Sequence, residues 1–60
     1  MTKFDNPIDA FEELEFVVRE TRHTHRLLKD KKGKYFVSVG WYNPKGSTSV
    51  VAEMNCRVVS

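Results

Sequence analysis

Only one segment of this chain repeats its apolar residues at helical spacing, and the remainder alternates them or clusters them as strands do. A lone helix can cover one face of a sheet and no more. If both sheet faces are apolar, the second must find another cover, so the imbalance bears on function as well as on fold.

The helical segment opens with Asn6, which can cap the free N–H groups of a first turn, and Pro7, whose fixed φ suits the first helical position. Asp9 follows three residues after the cap. On a 100° wheel Phe11, Leu14 and Val18 form one stripe, flanked by Ala10, Val17 and Thr21. Glu12, Glu13 and Glu20 point away, and Phe16 falls on the polar side. The spacing predicts a helix over 7–20, with Arg19 and Arg22 near its negative end. Alternation at Leu14, Phe16 and Val18 also permits a strand there.

Thr and His alternate with Arg ahead of Leu27 and Leu28, predicting a strand over 23–29. Asp30-Lys31-Lys32-Gly33-Lys34 then carries turn chemistry, with Gly33 free to adopt positive φ. Aromatic and β-branched residues predict a second strand over 34–42, and Asn43-Pro44-Lys45-Gly46 a second turn before a last strand over 48–59. The expected class is α+β: one N-terminal helix packed on a three-stranded antiparallel β-meander (αβββ), as a single small domain over 1–60.

If both turns are three-residue loops ending in Gly, Lys29 faces Tyr35 and Leu27 faces Val37, while Trp41 faces Ser49 and Val39 faces Val51. Alternation gathers Leu28, Phe36, Ser38, Gly40, Tyr42, Val50, Ala52, Met54, Cys56 and Val58 on one face. Its small centre at Ser38, Gly40 and Ala52 assigns it to the core beneath the helix. The opposite face collects His23, His25, Leu27, Lys29, Tyr35, Val37, Val39, Trp41, Ser49, Val51, Glu53, Asn55 and Arg57, too apolar for bare solvent. A one-residue slip would exchange the faces and still leave an apolar one open.

Size sharpens this. A chain of 7.0 kDa buries only about 60% of its unfolded surface, which is marginal for independent stability. The single Cys56 forms no internal disulfide, so the usual staple of small secreted domains is missing. With no signal-peptide pattern and no apolar run long enough to span a bilayer, a cytoplasmic location is expected.

Charge is segregated. Residues 1–20 set Asp5, Asp9, Glu12, Glu13, Glu15 and Glu20 against Lys3 and Arg19. Residues 21–60 set Arg22, Arg26, Lys29, Lys31, Lys32, Lys34, Lys45 and Arg57 against Asp30 and Glu53. An acidic helix beside a basic sheet explains this by mutual attraction, and a basic surface for an anionic partner is the functional counterpart.

Chemistry-bearing clusters are sparse. His23 and His25 have the spacing of a fragment of a metal site, but zinc takes three or four ligands and Cys56 projects to the other face in this register. No metal or other cofactor is expected. Cys56 with either histidine is the available nucleophile and base pairing, without a local signature or an enclosing pocket, so no enzymatic activity is expected. Gly33, Gly40 and Gly46 are too dispersed for a phosphate-binding loop.

Two binding readings remain. Tyr35 and Trp41 with Lys29, Arg57, His23 and His25 would suit single-stranded nucleic acid, with Lys31, Lys32, Lys34 and Lys45 meeting phosphates from the turns. Asn6-Pro7-Ile8 with its helix and three strands also resembles the first two-thirds of a double-stranded RNA-binding domain. That family's second helix with its basic start has no counterpart, and the first turn is too short.

The other reading has the stronger physical motive. Tyr35, Val37, Val39, Trp41 and Val51, with Leu27, His25 and Arg57 around them, combine aliphatic, aromatic and basic character as protein interfaces do. The expectation is a small non-enzymatic module that pairs with itself as a homodimer or with a larger protein, as a regulator or inhibitor of the kind viruses and mobile elements encode. The last strand, if it leaves an open edge, offers a second route to dimerisation.

Overall fold

The computed structural model describes residues 2–42 and 46–55. Helix α1 (Pro7–Thr21) is followed by β1 (His25–Lys29), β2 (Tyr35–Val39) and β3 (Ser49–Met54). The class is α+β, one helix and three antiparallel strands.

The helix begins where its sequence signals place it. Asn6 stands outside the helix in extended conformation and its side-chain oxygen accepts from the Ile8 N–H at 2.8 Å. The helix ends one residue beyond the expected Glu20, where Arg22 adopts φ 60°, ψ 27° and donates its N–H to the Val18 carbonyl at 2.8 Å.

The first hairpin also has the expected register, with Leu27 opposite Val37 and Lys29 opposite Tyr35. Its turn is organised by Asp30, one of whose carboxylate oxygens accepts from the Lys32 and Lys34 N–H groups at 2.9 and 3.0 Å. Asp30 N–H reaches the Lys34 carbonyl at 2.9 Å, and Gly33 takes φ 84°, which an L side chain resists.

The strand order is not a meander. The sheet runs β2-β1-β3, so β1 is central and β3 pairs antiparallel with β1 instead of β2. The expected pairs Trp41 with Ser49 and Val39 with Val51 are not formed; Ser49 lies opposite Lys29 and Ala52 opposite Leu27. The likeness to the double-stranded RNA-binding domain stops at element order. Because β2 and β3 both run against β1, the chain between them returns the length of the sheet. Arg26 holds the described start of that return by donating Nη1 to the Tyr42 carbonyl at 3.3 Å. Gly40 is required on the way: a Cβ there would sit 2.8 Å from the Thr24 carbonyl oxygen.

The helix packs on the face opposite to the expected one, and a bulge in β3 carries part of that strand there with it. Leu28 pairs with Val50 but Leu27 pairs with Ala52, so one extra residue is taken up between them. Ala52 and Met54 therefore join Leu27, not Leu28. The core is Ala10, Leu14 and Val18 of α1 against Leu27 and Met54, with Phe4, Tyr35, Val37 and Ala52 packed around it. The helix thus covers the face expected to be open.

The buried helix stripe is also rotated from the expected one. Ala10 is fully buried while Phe11 is 40% exposed, because the small side chain lets the helix approach the sheet closely. On the far face Leu28 and Phe36 are buried, and the Lys3 ammonium sits 5.5 Å from the centre of the Phe36 ring. Among the described residues no helix is long and apolar enough to cross a membrane.

Candidate functional site

The residues expected to bind a partner divide into three groups. Leu27 and His25 are buried beneath the helix, and Tyr35 and Val37 pack against the same core. Val39 is half-buried. They do not form a free sheet face, because α1 occupies it. Trp41 and Val51 are the exposed members, at 81% and 50%. Arg57 lies outside the described residues, as do Lys45 and Cys56.

His25 is held by the segment just ahead of its strand. Its Nδ1 lies 2.9 Å from the His23 carbonyl, and since a carbonyl only accepts, Nδ1 carries the proton. Both histidines and Trp41 border a cleft of about 470 Å³ with Thr21, Thr24, Val39 and Gly40, at the C-terminal end of α1. Among the described residues no three His, Cys, Asp or Glu side chains gather to hold a metal ion.

The basic residues are at the opposite end of the sheet. β2 spans ~13 Å from Tyr35 to Val39 at its strand rise, with the lysine turn beyond one end and Trp41 beyond the other. Part of the turn's charge is answered internally: Lys34 pairs with Asp5, and Lys3 donates to Asp30 at 2.8 Å. The Lys3 hydrogen bond and the two backbone N–H donors hold the Asp30 carboxyl down at about 2. Lys29 stacks its ammonium 5.5 Å from the Tyr35 ring centre, while Lys31 and Lys32 are exposed. Trp41 therefore does not share a surface with the exposed Lys31 and Lys32.

The two outer edges of the sheet differ. At β2, Phe4 and Tyr35 exchange both backbone hydrogen bonds, at 2.7 and 2.8 Å, and the Val39 carbonyl accepts from Tyr42 N–H at 3.1 Å. At β3, among the described residues, no strand pairs with the outer edge. Alternation fixes which groups line it. Tyr35 turns its backbone toward Phe4, so Phe36 and Ser38 bond to Leu28 and Arg26, and β1 presents His25, Leu27 and Lys29 to β3. Val50 and Glu53, opposite Leu28 and Arg26, then turn their N–H and C=O groups outward.

Apolar side chains accompany this edge. Val50 is 44% exposed and Val51 50%. Glu53 is held by Arg26, whose Nε donates to Oε1 at 3.0 Å. Glu13 and Val17 border a cleft beside Val37 and Phe4, so that flank of α1 faces β2, and Phe11 on the opposite flank faces β3. Sequence reading missed Val50 and Glu53 as members of one open edge, since only the strand order and the bulge bring them to it. No family model, curated protein or solved structure matches this chain.

Proposed function

We propose that this chain is a small, non-enzymatic protein-interaction module that engages its partner by adding a strand at the edge of β3, acting as a regulator or inhibitor of a larger assembly. One observation carries the reading: β3 is a six-residue edge strand with outward backbone groups and two exposed valines, without Pro or Lys to block it. Main-chain pairing supplies affinity and Val50 and Val51 supply apolar contact. The nucleic-acid alternative finds less support, because Trp41 and the lysine turn lie at opposite ends of the sheet.

The test compares the intact chain with Val50→Pro and Val51→Lys in affinity capture from cells that express it, read by mass spectrometry. Val50→Pro removes an N–H that makes no bond within the sheet, and Val51→Lys places a charge on the edge. Proteins retained by the intact chain and lost with both variants support strand addition. An unchanged set of captured proteins overturns it. Anisotropy of a labelled single-stranded oligonucleotide at ~0.15 M salt, with binding lost on changing Lys31 and Lys32 to Glu, would favour the alternative.

A further inference from the structure

The edge of β3 matches itself, and we infer that the strand it takes up is β3 of a second copy, giving a two-fold dimer with a continuous six-stranded sheet. This rests on the strand-addition reading and names its partner. An antiparallel pair of identical edge strands requires a two-fold axis perpendicular to the sheet. The order is then β2-β1-β3-β3-β1-β2 across both copies, and every neighbouring pair is antiparallel.

The register is set by the open positions. Val50 and Glu53 are the two residues whose backbone groups point outward. Centring the axis between Val51 and Ala52 sets Val50 of each copy opposite Glu53 of the other. Both open positions are satisfied at once, and the two bulges face each other across the axis. No other centre pairs both positions of both copies. An apolar contact accompanies the pairing, since the exposed Val51 of each copy stands opposite Ala52 of the other and diagonal to its own counterpart across the axis.

The same symmetry places both helices on one face of the joined sheet. α1 lies over β1 and β2 more than over β3, so the two helices stand ~15 Å apart or more and flank a groove floored by the two β3 strands. Phe11, 40% exposed, lies on the helix flank that faces this groove. Repulsion between the acidic helices at that separation is screened beyond the ~8 Å Debye length of physiological salt. The lysine turn of one copy meanwhile comes alongside the Glu53 end of the other.

Sedimentation equilibrium of the purified chain at ~0.15 M salt tests the dimer. The expected result is a monomer–dimer equilibrium whose Kd rises at least tenfold in Val50→Pro and in Val51→Lys, with the far-ultraviolet circular dichroism of both variants unchanged. A chain that is monomeric at every concentration, or a dimer indifferent to both substitutions, overturns it. Spin labels provide a check independent of both variants. In a Cys56→Ser background, labels at the exposed Glu53 should lie within ~15 Å of each other between copies, and labels at Lys31 ~30 Å apart. Reversed distances overturn the geometry. A strictly monomeric chain that still loses captured proteins on edge substitution refutes the dimer and leaves strand addition standing. Capture indifferent to those substitutions refutes strand addition itself.

Discussion

The two outer strands flank the same central β1, yet their free edges are treated differently. β2 is strapped: Phe4 closes its start with two backbone bonds and the Tyr42 N–H closes its end. β3 has only a bulge and the charge of Glu53, which twist and discourage an edge without covering it. With residues 2–5 committed to β2, the described chain has no second strap for β3. The contrast teaches that openness at β3 is a matter of chain allocation, and that an edge can be left available while its twin is tied at both ends by only a few residues.

The largest effect comes from removing what both edges share. Leu14→Ala takes a fully buried side chain from the layer joining α1 to the sheet, and should cost about 2–5 kcal/mol by chemical denaturation. Both edges would loosen together. Loss of the β2 contacts alone would show that the strands are not one cooperative unit.

Breaking the strap is the next test. Phe4→Pro removes the N–H that donates to Tyr35 and part of the packing beneath the helix, at about 1–3 kcal/mol. Val50→Pro, which removes an outward N–H, should change the stability of the monomer by less than about 1 kcal/mol. Equal losses would mean that the β3 edge is as fully bonded as that of β2. Phe4→Pro should also raise self-association, because it opens the second edge.

A smaller effect separates the hairpin from β3 by acid. Asp30 titrates at about 2 in the fold against a usual 3.8, so its contribution is present above the usual value. That contribution is lost as pH falls from about 4 through about 2. Thermal midpoints measured over this range should fall, and Asp30→Ala should remove that part of the decline. If the variant follows the parent curve unchanged, the Lys3 bond and the turn do not depend on the carboxylate.

Local signals made half of this molecule readable. Asn6 and Pro7 mark the helix start, and Asp30 with Gly33 sets the first hairpin and its register, because each acts on groups a few residues away. β3 has no such signal. Whether it joins β1 or β2 is decided by long-range packing, and the bulge then moves Ala52 and Met54 to the side that the helix covers. Ala10 is hard to read for a related reason: periodicity rewards large apolar residues, while close approach of helix and sheet rewards small ones. Trp41 and Val51 are exposed as expected, but the surface they were grouped with is taken by the helix.

Amide exchange reads the two edges without altering either. The Tyr35 N–H donates to Phe4 at 2.8 Å and should be protected at every protein concentration. The Val50 and Glu53 amides point outward, so in dilute solution they should exchange close to the rate of an open chain. As concentration rises and copies pair, those two amides should gain protection together while Tyr35 does not change. Protection at Val50 and Glu53 that is already present in the monomer would mean the edge is bonded within its own chain, and the asymmetry between the two edges would disappear. Protection that appears at one of them alone would shift the axis away from Val51 and Ala52, since only the symmetric register engages both.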